Sequence, residues 1–214
     1  MDIVLTAAPA SSSRELIPAD SHIARCIELI SIGTVTKEFE GKSKTLQQLR
    51  ITWELPELMH EYDGKQEPAR IGQTFTASLH EKSGLRKVLK SWRGKDFTEE
   101  ELKGFSLRTI LGAPCLLTIS HTEKGGKTYA NVDAVTKLHK SMVCPEQISP
   151  LKLLAYGEDF DFDLFESLPN FLKDQIRSTP EFKALKQPAA APAATAPAAS
   201  APADKGDDEN ELPF

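Results

Sequence analysis

Alternating apolar and polar residues in the first half of the chain predict three β-strands, over 21–36, 46–55 and 71–79. Gly33 interrupts the first strand, where a bulge or sharp bend fits, and Asp63-Gly64 marks a turn between the second and the third. The second strand has an apolar face and a polar face, formed respectively by Leu49, Ile51, Trp53 and Leu55 and by Gln48, Arg50, Thr52 and Glu54.

After the third strand the apolar spacing changes to that of a helix. Residues 84–92 carry one apolar stripe. Thr98 followed by Glu101 has the pattern of a capping box, which begins a second short helix that ends near Gly104. The stripe of the first helix consists of Leu85, Val88, Leu89 and Trp92.

Two further strands are predicted over 114–122 and 128–138, joined by a hairpin at 123–127. Three strands, a helical connection and a two-stranded hairpin follow the order of an OB-fold, a five-stranded Greek-key barrel that binds oligonucleotides or oligosaccharides. We therefore predict a mainly β protein with an OB-fold barrel. An SH3-like barrel or another small five-stranded barrel is the structural alternative.

Composition divides the chain into five parts. An arm poor in core-forming residues precedes the barrel, and a helical extension, a disordered Ala/Pro-rich linker and an acidic tip follow it. In the extension we expect two short amphipathic helices, separated near Pro169 and with Pro180 ending the second, that pack on the barrel or form a subunit contact. The predicted parts are the arm 1–20, the barrel 21–140, the extension 141–186, the linker 187–206 and the tip 207–214.

The net charge of −5 is distributed unevenly. Residues 21–140 contain 19 Lys+Arg against 15 Asp+Glu, a net charge of +4, whereas 1–20 carry −2, 141–186 carry −3 and 187–214 carry −4. A basic body with an acidic end is typical of a nucleic-acid-binding domain that has an interaction tail.

The apolar stretches are only strand-sized, and residues 1–10 lack the basic region of a secretory signal, so we expect a cytoplasmic protein. Its three cysteines are Cys26, Cys115 and Cys144. Because they are odd in number and far apart, neither a disulfide framework nor a CxxC metal site is indicated. We expect Cys26 and Cys115 to be small core residues.

No catalytic pattern stands out, and we predict a protein that is not an enzyme and binds neither cofactor nor metal. Gly126-Lys127-Thr128 has the form of the end of a phosphate-binding loop, but that pattern requires glycine where His121 stands. Asp159, Asp161 and Asp163 lack the further oxygen ligands of a metal cage. The five histidines lack the spacing of a zinc site.

Basic and aromatic residues occur together in the two predicted loops that would flank an OB-fold binding face. A single strand needs cations for its phosphates and exposed aromatic faces on which bases stack. Phe39 is the first stacking candidate, and Tyr129 is the second because Ala130 and Val132 take the inward face of its strand. The candidate cations are Lys37, Lys42 and Lys44 in the first loop and Lys124 and Lys127 in the second, with Arg50 and Arg70 as further backbone contacts.

Trp53 and Phe75 are candidates for stacking as well, but both alternate with the polar residues of their strands. Packing in the core is the alternative for each of them, and it is the expected position of Trp92 on the helical stripe.

Four segments between His22 and Leu138 are informative together. They are Thr52-Trp53-Glu54-Leu55-Pro56, Ser78-Leu79-His80-Glu81-Lys82-Ser83, Trp92-Arg93-Gly94-Lys95 and Lys127-Thr128-Tyr129-Ala130-Asn131. In these segments the chain resembles the single-stranded DNA-binding proteins encoded by bacteriophages. The resemblance covers just over half of the chain and implies sequence-independent protection of single strands in DNA replication, recombination or repair, in the cytoplasm of a host cell.

The ending of the chain is similar to the acidic tip of bacterial single-stranded DNA-binding proteins, which recruits replication, recombination and repair enzymes. It departs from the usual tip by Asn210 and by Leu212 in place of isoleucine. A terminal aromatic residue beside a carboxylate fits an Arg-lined apolar pocket, whereas a merely solubilising acidic end is the alternative. The predicted partner-binding residues are Asp207, Asp208, Glu209, Glu211, Leu212, Pro213 and Phe214.

We therefore expect the barrel to coat single-stranded DNA while the tip presents partner proteins. The sequence leaves open whether the chain forms a homo-oligomer. The competing hypothesis is an interaction protein whose barrel binds another protein or structured RNA.

Overall fold

The computed structural model describes residues 15–39, 42–62 and 64–186. Within these ranges it contains six strands, five α-helices and a 3₁₀ turn at Leu107–Ile110. The strands are β1 (Ser21–Phe39), β2 (Lys42–Tyr62), β3 (Lys65–Thr76), β4 (Pro114–Lys124), β5 (Lys127–Thr136) and β6 (Lys152–Leu154). The helices are α1 (Gly84–Arg93), α2 (Glu99–Lys103), α3 (Phe162–Glu166), α4 (Asn170–Ser178) and α5 (Pro180–Lys186).

The predicted mainly β fold is confirmed, and its strands form one sheet in the order β3-β2-β1-β4-β5. These neighbours are antiparallel, whereas β6 pairs in parallel with β1. β1 is the central strand. It pairs with β2 along one edge, while on the other edge its first residues pair with β4 and Glu28–Ile30 pair with β6. The end strands β3 and β5 contact each other, but the described residues show no strand ladder between them.

Local signals in the sequence produce several of the predicted features. Gly33 has a φ of 101° and lies at a register shift in the β1–β2 ladder, which confirms the predicted bulge. The capping box of α2 is present, since Thr98 Oγ1 accepts the Glu101 N–H and the Glu101 carboxylate accepts the Thr98 N–H. β3 begins earlier than predicted, because the hairpin with β2 continues down to Tyr62 and Lys65. It ends at Thr76, before the predicted end at residue 79.

The main core lies between the inward faces of β1 to β5 and the apolar stripe of α1. Trp53 and Trp92 meet there with ring centroids 6.1 Å apart, and Trp92 Nε1–H donates to the Pro114 carbonyl at 2.9 Å. Cys26 and Cys115 are fully buried, as predicted. Burial raises the pKa of Cys26 to about 12 and raises that of Cys115 well above its ordinary value.

Part of the segment predicted as a mobile arm belongs to the folded body. Ile17 is buried in the main core, and its carbonyl is 2.7 Å from His121 Nε2. The Ile119 N–H donates to the Asp20 carbonyl at 2.9 Å. The apolar contact of Ile17 is what ties residues 15–20 to the body, so the folded part begins before residue 21.

The helical extension packs on the outer face of β1 and forms a second core with it. The predicted helices on either side of Pro169 are confirmed as α3 and α4. Pro180 follows the end of α4, as predicted, but it also begins α5, where its missing N–H costs no helical hydrogen bond. The buried members of this core are Ile30, Ile32, Leu154, Phe160, Phe165, Leu168, Leu172, Ile176 and Phe182.

Most of the polar face of β2 is also buried, which the alternating pattern alone does not indicate. Gln48, Thr52 and Glu54 are all buried. Glu54 is fully enclosed, and its two carboxylate oxygens accept the backbone N–H groups of Ile148 and Ser149 at 2.9 Å each. The extension therefore folds back over β2, and the carboxylate satisfies backbone donors that would otherwise be buried without partners. None of the helices in the described ranges is long and apolar enough to cross a membrane.

Candidate nucleic-acid interface

The β1–β2 hairpin brings together the first group of predicted binding positions. In its ladder Lys37 lies opposite Lys44, and Phe39 lies opposite Lys42. Residues two apart on a strand share a face, as do directly opposite residues. The register therefore places all four positions on one face of the ribbon, and the Lys44 side chain is exposed.

The β4–β5 hairpin brings together the second group. Gly125 and Gly126 form its tip with φ values of 60° and 73°, the left-handed conformation that a two-residue hairpin turn requires. Lys124 pairs with Lys127, and Thr122 pairs with Tyr129. The two lysines and Tyr129 therefore share one face, where both lysines are exposed and the Tyr129 side chain is 49% exposed.

Arg50 extends the face of the first hairpin along β2. Lys42, Lys44, Gln48 and Arg50 are separated by even numbers of residues, so they lie on the same side of β2. The ladder shifts register between Ser31 and Gly33, opposite Leu49 and Gln48, but the extra residue lies in β1 and the alternation along β2 is unbroken. The Arg50 guanidinium lies 5.5 Å from the ring centroid of Phe171. Burial lowers the pKa of Arg50, and the opposing attraction of Glu28 only partly offsets this effect.

Arg70 lies on the outward side of β3 and is exposed. Its Nη2 is 3.2 Å from Glu67 Oε2, and both side chains are 43% exposed. An exposed ion pair contributes little to stability, so Arg70 can exchange Glu67 for a phosphate at small cost. Thr74, the second outward position after Arg70 on β3, is exposed too.

Trp53 and Phe75 belong to the core. The sequence had left two alternatives for each of them, core packing and base stacking. The exposed fraction is 0% for Trp53 and 7% for Phe75. Neither ring has a free face for a base in this conformation. The inward face of the strands determines this outcome, because Trp53 alternates in phase with the buried Ile51 and Leu55, and Phe75 lies directly opposite the buried Leu49.

Phe171 is an exposed aromatic residue of α4, and it is not among the predicted binding residues. Leu172 and Ile176 are four residues apart and form the buried stripe of α4, whereas Phe171 precedes the stripe by one position and is 53% exposed. A helical turn of 100° per residue moves such a position off the buried face. That one-residue offset is the signal that could have identified it.

A separate groove of about 530 Å³ lies between α1, α2 and the ends of β4 and β5, lined in part by Trp92, Arg93, Lys95, Glu101 and Lys137. Arg93 lies over the rings of Phe97 and Phe105, at 4.5 Å and 4.9 Å from their centroids. It pairs with Glu101, while its buried Nη1 has no hydrogen-bond partner. The hydrogen bond from the Thr98 N–H, followed by contacts with Arg93 and Lys95, lowers the pKa of Glu101.

The predicted partner-binding residues 207–214 lie outside the described ranges, as do the side chains of Lys37, Phe39 and Lys42. In the part of the chain that is described, no three His, Cys, Asp or Glu side chains form a group that could hold a metal ion. No protein-family model matches the chain, and no curated protein matches it at a significant level.

Proposed function

We propose that the protein is a non-catalytic, sequence-independent single-stranded DNA-binding protein. The observation that carries the proposal is the arrangement of the two hairpins, each of which places cations and an aromatic position on a single face. Lysines can neutralise phosphates while the aromatic ring stacks on bases, and neither contact depends on the base sequence. The β4–β5 hairpin is the clearest case. Its exposed Tyr129 lies on the same face as the lysine pair at the tip.

The strand order supports an OB-fold as the framework of this interface. An OB-fold barrel binds oligonucleotides on its middle strands and on two loops, one between strands one and two and the other between strands four and five. Here the order β3-β2-β1-β4-β5, with α1 between β3 and β4, matches that arrangement. Contact between β3 and β5 is consistent with closure of the barrel.

Electrostatics supports binding that depends strongly on salt. The segment 21–140 carries a net charge of +4 even though the whole chain carries −5. Each neutralised phosphate releases counterions, so affinity falls as salt rises, and each stacked base adds about 1–3 kcal/mol. A modest positive charge combined with stacking fits a protein that binds single strands and releases them.

The acidic segment 207–214 serves partner recruitment in this proposal. Its acids steer it toward basic surfaces, and Phe214 supplies an aromatic anchor. The Ala/Pro-rich composition of 187–206 is typical of a linker between the body and the tip. The setting would be DNA replication, recombination or repair in the cytoplasm, that of the host cell for a phage protein.

Fluorescence anisotropy with labelled oligo-dT tests DNA binding by the full chain. We expect saturable binding that is at least about tenfold tighter than to a duplex of equal length, since duplex bases cannot stack on protein rings. Absence of binding to oligo-dT would refute the proposal, and tighter binding to hairpin RNA would favour the competing hypothesis.

Deletion of 207–214 tests the division of labour between body and tip. The truncated protein should bind oligo-dT as tightly as the full chain or more tightly, because the deletion removes four acids. Loss of DNA binding on deletion would show that the segment belongs to the DNA interface.

The groove beside α1 favours a second candidate function, the binding of an acidic peptide with an apolar residue. Arg93 and Trp92 line this groove, and Lys95 and Lys137 are exposed on its rim. A synthetic peptide of residues 204–214 is a suitable probe. Binding that is lost in the double variant Lys95→Glu, Lys137→Glu and kept in Lys82→Glu, Lys87→Glu would support this function.

A further inference from the structure

Phe171 differs from the other phenylalanines of the extension. Phe160, Phe165 and Phe182 are buried in the second core. Phe162 is 46% exposed, but its ring packs against Phe160 and Phe182, with centroids 5.0 Å and 6.5 Å apart. Phe171, which is 53% exposed, instead lies over the guanidinium of Arg50 on the sheet.

The sheet holds Arg50 in place beneath this ring. A Cβ atom added to Gly72 would lie 2.5 Å from Arg50 Nη2 and 2.8 Å from its Cζ. The guanidinium therefore rests directly on the backbone of β3, in space that glycine alone leaves free. Burial lowers the pKa of Arg50, and the attraction of Glu28 partly offsets this effect. Thr52 Oγ1 donates to the Glu28 carboxylate at 2.8 Å.

The ring is also at the right place along the sheet. Lys44 and Arg50 are six residues apart on the same face of β2, a distance of about 20 Å at about 3.3 Å per residue. One OB-fold covers about 4–16 nucleotides. A strand bound along the β1–β2 hairpin can therefore reach Arg50 and Phe171 within a single site.

We propose that Phe171 stacks on a base of the bound single strand, with Arg50 fixing the ring from the opposite side. The cation–π contact orients the ring before DNA arrives, and the accessible half of its surface is then available to a base. The helical extension then contributes to the DNA interface as well as covering part of the sheet. This inference rests on the proposed function.

Substitution of Phe171 in the full chain tests the role of the ring. Loss of one stacked base should weaken oligo-dT binding by about 5- to 150-fold in both Phe171→Ala and Phe171→Leu, while Phe171→Tyr should bind within about threefold of wild type, because it keeps an aromatic face. The salt dependence should not change, because no phosphate contact is removed. Phe162→Ala is the matched control for an exposed phenylalanine of the same extension, and it should bind like wild type.

Two further variants test the geometry. Gly72→Ala should displace the Arg50 guanidinium and weaken binding while Phe171 is retained. In Phe171→Trp, oligo-dT should quench the fluorescence of the new indole. This quenching should exceed any fluorescence change of the wild-type protein, which comes from the buried Trp53 and Trp92.

The outcomes separate this inference from the proposed function. If the wild-type protein binds oligo-dT and Phe171→Ala and Phe171→Leu bind it equally well, the stacking role is wrong and the proposed function stands. An indole at 171 that DNA does not quench would also overturn the stacking role. If the wild-type protein does not bind oligo-dT, both fall.

Discussion

The carboxylate of Glu54, fully buried on β2, accepts the backbone N–H of Ser149 at 2.9 Å. Its other oxygen accepts the N–H of Ile148 at the same distance. A buried charge is tolerated only where hydrogen bonds replace its hydration, and here both oxygens have a donor. The pair joins the sheet to the segment that leads into β6 and the helices. The sheet and the extension are therefore expected to unfold as one cooperative unit.

Replacement of this carboxylate should destabilise the whole protein. In Glu54→Gln one oxygen becomes an NH₂ group that faces an N–H donor, so a buried donor loses its acceptor and the free energy of unfolding should fall by about 3 kcal/mol. For a protein of this size that corresponds to a fall of about 6–12 °C in Tm. Calorimetry should show a single transition in both proteins.

The exposed Glu57 provides the control, because Glu57→Gln removes the same charge three residues away on the same strand. Its Tm should stay within about 2 °C of wild type, as expected for an exposed position. Equal Tm values for Glu54→Gln and wild type would contradict the structural role of the buried carboxylate.

Glu181 should make stability depend on acidic pH. Burial alone raises its pKa, but hydrogen bonds from the Thr34 hydroxyl and N–H outweigh burial and lower the pKa below 4.5. A lowered folded-state pKa gives stabilisation that is present above the unfolded-state pKa and is lost as pH falls through the folded-state pKa. The free energy of unfolding, measured with urea, should therefore fall more below about pH 4.5 in wild type than in Glu181→Gln.

The exposed Glu158 supplies the control substitution. Glu158→Gln should keep the acid sensitivity of the wild-type protein. The free energy of unfolding should be measured at intervals of about one pH unit between about pH 5 and pH 3. If it falls as steeply in Glu181→Gln as in wild type, the Glu181–Thr34 contact does not contribute to the pH dependence of stability.

The three cysteines should react with alkylating agents in a fixed order. Burial raises the pKa of Cys26 to about 12 and that of Cys115 well above its ordinary value. Cys144 also has a pKa raised by burial, but it is only partly buried. Because the thiolate is the reactive form, native alkylation followed by peptide mass spectrometry should label Cys144 first. Labelling of Cys26 or Cys115 before unfolding would contradict the packing of the core.

Local sequence patterns were sufficient for much of the fold. The alternation around Trp53, the helical stripe ending at Trp92 and the Thr98–Glu101 capping box all have short-range physical causes, and each predicted its element. The bulge at Gly33 follows from the conformational freedom of glycine. Such signals require only neighbours along the chain.

The burial of one segment by another that is distant in sequence could not be predicted in the same way. Alternation shows that Glu54 lies on the polar face of β2, but it does not show that residues 148 and 149 fold over that face and bury it. The three-residue strand β6 is too short to produce a periodic signal. The contact of Phe171 with Arg50 joins residues far apart in sequence, so only the packed structure reveals it.

The salt dependence of single-stranded DNA binding is the measurement that tests the central claim most directly. For single strands the plot of log Kobs against log salt has a slope of about −0.7 per neutralised phosphate. The triple variant Lys44→Gln, Lys124→Gln, Lys127→Gln should bind oligo-dT more weakly than wild type, with a slope that is smaller in magnitude by about 2. A control with Lys87→Gln, Lys103→Gln and Lys140→Gln, all exposed outside the hairpins, should retain the wild-type slope. Identical slopes and affinities for the triple hairpin variant and wild type would contradict the assignment of the two hairpins as the DNA interface.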